Sequence, residues 1–257
     1  MLSYQHVYHA GNAADLHKHI VLAELLSGLV RKPRPISYVE THAGRGVYDL
    51  AAPEALKTGE AARGVDRLML DPTSAYGGAL TAFRDRHGPR AYPGSPALAR
   101  MLLRPDDRLW LMELHPAEHA ALDAALAGGG VAIHRRDGRE GVLALAPFKP
   151  RRGLVLVDPS YEMKGEYAET AAFCRRLIQK WPEAVILVWY PILPAGRHAE
   201  LLDGLAALPF RVDETRFRDE PGRGMTGSGL ILINGPHRSE SAFSAAHRLA
   251  APVLVPA

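Results

Sequence analysis

The chain has one cysteine, Cys174, in 257 residues, so it cannot form an internal disulfide and has no thiol pair for redox chemistry or a cysteine-rich metal site. Cys174 falls in a helical pattern and is expected to be a buried small apolar residue, consistent with a reducing compartment. No stretch approaches the roughly 20 apolar residues a membrane span needs. Residues 1–12, dotted with Ser, Gln, His and Asn, do not read as a secretory leader, so the expectation is a soluble, cytoplasmic protein. Charge of one sign is also scarce. A net charge of +3 does not by itself point to nucleic acid. Basic residues do gather at Arg31-Lys32-Pro33-Arg34, Arg84 to Arg90, Lys149 to Arg152 and Arg211 to Arg218, which permits a phosphate-tracking surface. There is no internal repeat, low-complexity tract or disordered linker.

What the chain does have is a core's worth of apolar residues, 47%, arranged as alternating strands and helices. A helix is expected over Ala13 to Leu29, ended by Pro33 and Pro35, with a strand at Ile36 to Glu40. Alternation resumes with strands at Leu109–Glu113, Val131–His134, Gly153–Val157 and Ala184–Trp189. Helices fall between them at Pro116–Leu126 and Glu166–Gln179. A helix at His198–Ala207 and strands at Phe210–Phe217 and Gly229–Ile233 close the sheet. This order predicts an α/β, mostly parallel, doubly wound sheet. The segment from Leu50 to Arg104 is far longer than a crossover needs and reads as a small helical insertion, 50–104, in a domain made of 1–49 and 105–257.

Asp158-Pro159-Ser160-Tyr161 closes the apolar run Gly153 to Val157, at the carboxyl end of a strand, where open α/β sheets bind ligands. The tetrapeptide suits methylation of an exocyclic amine on a nucleobase, whose lone pair is delocalised into the ring. The Asp158 carboxylate and the Pro159 carbonyl can each accept one amino N–H, drawing the nitrogen toward a nucleophilic geometry. Tyr161 can stack on the base. The sequence resembles the (Asp/Asn)-Pro-Pro-(Tyr/Phe) motif of S-adenosylmethionine-dependent amino-methyltransferases, with Ser160 in place of the second proline.

The other half of such a site needs a tight turn after the first strand, which Gly44 and Gly46 supply. Glu113, ending the second strand, can accept ribose hydroxyls, and Asp137-Gly138, after the third, can take an adenine amino group. Hydride transfer has no use for this set. The histidines His6, His9, His17 and His19 look like a cluster, but His17 and His19 point to different helix faces, so no metal site is expected.

Several further blocks occur in collinear order. They are Met1 to His6, His9-Ala10-Gly11-Asn12-Ala13-Ala14-Asp15, Lys18-His19, Thr41 to Gly44, Tyr92-Pro93-Gly94-Ser95-Pro96, Glu113-Leu114-His115-Pro116, Asp137-Gly138, Asp158 to Lys164 and Gly227-Ser228-Gly229. Together they resemble the RlmJ family of bacterial 23S ribosomal RNA adenine-N6 methyltransferases. The resemblance implies a class I S-adenosylmethionine-dependent methyltransferase, Rossmann-like, with a mostly parallel seven-stranded sheet and a helical insertion. It also implies a monomer without an obligate protein partner, acting on protein-free 23S RNA. Carried over, cofactor contacts fall on His19, His42, Ser95, Glu113, Asp137, Gly138 and Asp158, with Lys18 bordering the pocket. Tyr4 touches the RNA, and Asp158 is the proton acceptor. The alternatives are a DNA adenine-N6 methyltransferase and a non-catalytic RNA-binding assembly factor.

Overall fold

The computed structural model describes residues 5–219, 224–237 and 239–257. In chain order its elements begin with α1 (Ala13–Val30), β1 (Ser37–Glu40), β2 (Val47–Asp49), α2 (Pro53–Thr58), α3 (Glu60–Arg63), α4 (Ala75–His87), β3 (Ala91–Pro93) and α5 (Ser95–Leu102). Next come β4 (Arg108–Met112), α6 (Pro116–Leu126), β5 (Val131–His134), α7 (Gly138–Leu145), β6 (Gly153–Val157), α8 (Glu166–Lys180) and β7 (Ala184–Ile192). The last are α9 (His198–Leu205), β8 (Phe210–Phe217), β9 (Gly227–Ile233), α10 (Glu240–Leu249) and β10 (Leu254–Pro256).

The main sheet runs in the order β10-β8-β9-β7-β6-β1-β4-β5. Strands β5, β4, β1, β6 and β7 pair in parallel, and β9 runs antiparallel between β7 and β8. The expected seven strands are all present. An eighth, β10, extends the edge by pairing antiparallel with Thr215–Phe217 of β8. Among the described residues the sheet therefore has eight strands, because the chain after α10 turns back along the β8 edge.

Period-2 alternation explains the two layers. Leu154 and Leu156 of β6 and Leu187 of β7 face a core built with α1, whereas Val155, Val157, Ile186 and Val188 face a second core built with α8 and α9. With both faces covered, the central strands read as unbroken apolar runs. Helix α1 is apolar nearly all round because it is sandwiched, packing against β7 and β9 on one side and α4, α5 and α10 on the others. Asn12 starts it, its side chain accepting from the Asp15 N–H at 2.8 Å.

The segment 50–104 is helical but returns through a strand. β3 pairs antiparallel with β2, and the Gly94 N–H donates to the Gly46 carbonyl at 2.8 Å. The segment thus returns beside the turn after β1, delivering Ser95 there.

Candidate active site

The sheet's strand order places β1 between β4 and β6, so successive connections leave β1 in opposite directions and open a crevice at its carboxyl end. A cavity of about 310 Å³ occupies that crevice. From the sequence-derived set it brings together Lys18, His19, His42, Gly44, Ser95, Glu113, Asp158, Pro159 and Tyr161, with Ser160 beside them. Tyr4 lies outside the described residues.

Asp137 and Gly138 do not line this cavity. Asp137 caps α7, accepting from the Glu140 N–H at 2.9 Å. A Cβ on Gly138 would lie 1.7 Å from the Thr41 carbonyl oxygen, so the glycine permits α7 to abut the turn that carries His42. Gly138 thus backs the site's wall, while Asp137 lines a separate groove between α7 and α8.

Lys18 is the electrostatic centre. Its ammonium lies 2.6 Å from Asp158 Oδ2 and 3.1 Å from Asp15 Oδ1, and all three side chains are largely withdrawn from solvent. Burial penalises the Lys18 cation, but Asp158 and Asp15 more than offset this and raise its pKa. Asp15, 1% exposed, also receives the Gly11 N–H at 2.9 Å and contacts His6 Nε2 at 3.0 Å. Burial opposes its charge, yet His6, Lys18 and His19 hold its pKa well below the usual carboxylate range.

Burial keeps two cavity histidines neutral, with the pKa of His42 lowered to about 4 and that of His19 to about 3. His19 Nδ1 pairs with the Tyr92 hydroxyl at 2.9 Å, and His42 Nδ1 with Thr41 Oγ1 at 2.8 Å. Glu40, fully buried at the end of β1, meets the Tyr38 hydroxyl at 2.5 Å and Ser95 Oγ at 2.9 Å. Burial lifts its pKa to about 8 despite those hydrogen bonds.

At the other end of the cavity the Glu113 carboxylate accepts the Gly44 N–H at 2.8 Å and the His115 N–H at 2.7 Å. Each oxygen retains a lone pair for a further donor, as a ribose diol requires. Burial raises the Glu113 pKa, with the two N–H bonds opposing. Gly44 has φ 62°, and a Cβ there would meet the Tyr48 hydroxyl oxygen at 2.6 Å, so the turn must be glycine for the floor to stay clear. Arg45 forks onto Glu118, 2.6 Å and 2.9 Å, bracing the same turn against α6.

The Asp-Pro-Ser-Tyr turn ends with Tyr161 at φ 54°, an uncommon left-handed conformation for a bulky residue. The ring lines the cavity but is only 7% exposed. It stacks on Tyr167 at 4.4 Å, and its hydroxyl donates to the Trp189 carbonyl at 2.9 Å.

The four histidines have different hydrogen-bond partners, though His6 and His19 both stand near Asp15, at 3.0 Å and 3.9 Å. His6 pairs with Asp15, His9 with Glu60, His17 with Asp213 and His19 with Tyr92. Sequence reasoning did not assign Asp15, Glu40 or Trp189 to the site. Asp15 had a signal in its block, His9 to Asp15, and in its i,i+3 spacing from Lys18, but its place in the cavity required the helix to be set under the sheet edge.

A doubly wound sheet with a cavity at the carboxyl ends of β1, β4 and β6, an acid after β4 and Asp-Pro-x-Tyr after β6 defines a class I S-adenosylmethionine-dependent methyltransferase. The family model described as "RsmJ: Ribosomal RNA large subunit methyltransferase D, RlmJ" matches residues 33–257. Ribosomal RNA large subunit methyltransferase J of Escherichia coli (strain K12) is 35% identical over 250 residues, 93% of this chain and 89% of that protein. The protein of the same description from Haemophilus influenzae is 35% identical over 261 residues, 94% of this chain and 90% of that one. A crystal structure of a Legionella pneumophila protein superposes with a TM-score of 0.86 at 32% identity, covering 97% of each chain. The chain belongs to the RlmJ family.

Proposed function

We propose that this protein methylates the N6 amino group of an adenine in 23S ribosomal RNA. The observation that carries this reading is the position of Asp158. Its carboxylate stands at the open end of β6, beside the Pro159 carbonyl, in the cavity that also holds Glu113 and Ser95. The relatives from Escherichia coli and Haemophilus influenzae are named as ribosomal RNA large subunit methyltransferases, which supports ribosomal RNA as the polymer.

S-adenosylmethionine, when bound, supplies an electrophilic methyl group on a sulfonium. Glu113 holds the ribose end, and Ser95 with the neutral imidazoles of His19 and His42 offers hydrogen bonds to the methionine end. The Pro159 carbonyl and Asp158 accept the two hydrogens of the flipped-out adenine's amine and hold its nitrogen in line, and Tyr161 supports the base plane. Asp158 then accepts the proton the amine gives up. Lys18 keeps that carboxylate oriented and charge-balanced before the amine arrives. In this reading 1–49 and 105–257 form the methyltransferase domain, 50–104 is a helical subdomain, and the protein acts as a cytoplasmic monomer on protein-free RNA.

The test is transfer of labelled methyl to unmodified 23S RNA, followed by digestion to nucleosides. N6-methyladenosine in RNA is the expected product. The same label appearing only in DNA of matched sequence, or in another nucleoside, rejects the reading.

A further inference from the structure

Trp189 and the buried polar chain behind it remain unused by this mechanism. Val157 of β6 pairs with Val188 of β7, so Trp189 lies beside Asp158 at the carboxyl edge of the next strand. Its half-buried indole lines the cavity. The Lys18 ammonium stands 5.6 Å from the ring centroid while lying 2.6 Å from Asp158 Oδ2. A nitrogen held against Asp158 thus stands within reach of the indole, so an amine that takes the place of Lys18 on that carboxylate is brought near the Trp189 ring. Tyr161 meets Trp189 at an angle, with ring centroids 6.1 Å apart and planes inclined by 58°. One face of Tyr161 is already stacked on Tyr167, whereas Trp189 presents its ring to the cavity.

The indole is held by its edge. Trp189 Nε1–H donates to Ser228 Oγ at 2.9 Å, and Ser228 Oγ lies 2.9 Å from His17 Nδ1. His17 Nε2 meets Asp213 Oδ2 at 2.9 Å, and His247 Nε2 meets Asp213 Oδ1 at 2.9 Å. One proton assignment satisfies every link. A neutral His17 donates from Nε2 to Asp213 and accepts the Ser228 hydroxyl at Nδ1, leaving the Ser228 oxygen to accept the indole N–H. Burial lowers the His17 pKa, in keeping with that neutral form. The flanking glycines serve the same register. A Cβ on Gly229 would lie 2.1 Å from the Tyr190 ring, and one on Gly227 would lie 2.3 Å from the Thr215 carbonyl oxygen. The block Gly227-Ser228-Gly229 thus has a physical task, presenting one hydroxyl to Trp189 from a closely packed strand.

We infer that Trp189 is a substrate-positioning residue whose indole forms, with Tyr161, an angled aromatic slot for the target adenine beside Asp158, and that Ser228, His17 and Asp213 set the indole's orientation. The inference rests on adenine methylation as proposed above. Base–aromatic stacking of this kind changes affinity by about 5- to 150-fold per base. Loss of binding made equally in the ground and transition states appears in KM rather than kcat.

The experiment compares Trp189→Leu, Trp189→Phe and Ser228→Ala with the unaltered protein in RNA methylation kinetics, alongside calorimetric binding of S-adenosylhomocysteine. Trp189→Leu should raise the RNA KM about tenfold or more with cofactor-product affinity within about twofold. Trp189→Phe should recover most of that loss, and Ser228→Ala should fall between. An unchanged KM, a parallel loss of S-adenosylhomocysteine affinity, or a phenylalanine variant as impaired as the leucine one overturns the inference. Because a core-edge substitution can impair folding, a second measurement uses the unaltered protein saturated with S-adenosylhomocysteine. Adenosine monophosphate should quench tryptophan emission, inorganic phosphate should not, and the quench should vanish in Trp189→Phe, which keeps Trp110 and Trp181. Absence of a quench also overturns it. If the unaltered protein methylates no RNA, the functional reading fails while the nucleotide titration still decides the role of Trp189.

Discussion

Lys18 lies between two carboxylates, 2.6 Å from one and 3.1 Å from the other, and the proposed mechanism gives only one of the two a part in the reaction. Asp15 is fixed by a backbone N–H and holds the ammonium, whereas in the proposed mechanism Asp158 exchanges partners when the amine arrives. Removing Asp158 should therefore cost turnover far more than cofactor affinity. Asp158→Ala is expected to lower kcat by about 10²- to 10⁴-fold with S-adenosylhomocysteine binding still measurable by calorimetry, and near-normal turnover would remove Asp158 from the mechanism. The buried titratable groups also set how stability follows pH. His19 and His42 have folded pKa values near 3 and 4 against 6.5 when unfolded, so their contribution is present above pH 6.5 and is lost as pH falls toward 4. Glu40 works in the opposite direction. Its folded pKa near 8 against 4.5 means its contribution is present below 4.5 and is lost as pH rises toward 8. Tyr38, Ser95, Asp158 and Lys18 are the groups that face it. Between pH 7 and 5 each of the three shifts is worth roughly 2 kcal/mol, so Glu40 cancels about one histidine. Glu40→Gln should steepen the loss of unfolding free energy from pH 7 to pH 5, and His42→Asn should flatten it, both read from urea titrations. Identical slopes in all three proteins would show that these groups titrate alike folded and unfolded.

The site is assembled where elements end, so the contacts between elements decide its shape. α7 reaches the turn after β1 only because Gly138 has no side chain, with the Thr41 carbonyl in the place of its Cβ. Gly138→Ala is expected to destabilise the fold by about 2–3 kcal/mol or more in urea unfolding, and to weaken S-adenosylhomocysteine binding by displacing His42. A variant of normal stability and affinity would show that α7 can retreat without moving that turn. The strands and helices on the sheet were legible from sequence because burial on both faces makes β6 and β7 unbroken apolar runs, and Pro and Gly bracket them. The acids at strand ends were legible for the same reason, once the strands were placed. Within 50–104 the pattern was weaker. There the chain forms α3 and a separate 3-10 turn at Val65–Arg67, because Gly64 divides them. A Cβ on Gly64 would lie 2.1 Å from the Gly11 carbonyl oxygen, a tertiary approach that no local pattern records. β2 and β3 are three residues each and pair across more than forty residues, too short for a period to show. Helix α10 and strand β10 were not anticipated either. The pair of Asp213 with His17 and His247 joins β8 to α1 and α10, so Trp189 could be tied to that chain only once the three elements were in place.

At the scale of the whole molecule, one helix belongs to both the core and the site. The later half of α1 places Leu22, Leu25, Leu26 and Leu29 in the core shared with α4, α5 and α10, while its first half brings Asp15, Lys18 and His19 under the sheet's carboxyl edge. The cavity therefore draws on residues 12–19, 42–44, 94–95, 113–118 and 158–162, segments spread over more than half the chain and brought together by a single crevice. A ligand that binds there stabilises all of them at once and leaves distant elements to their own opening equilibria. Adding S-adenosylhomocysteine should slow hydrogen exchange in peptides covering 12–19, 41–46, 94–98 and 113–119. Peptides covering β10, at the far edge of the sheet from β1, should exchange as before. Protection confined to 41–46 and 113–119 would mean that α1 and the segment returning through β3 take no part in holding the cofactor. Protection at all four segments would show that α1 and Ser95, which follows β3, are bound to the site through the same ligand.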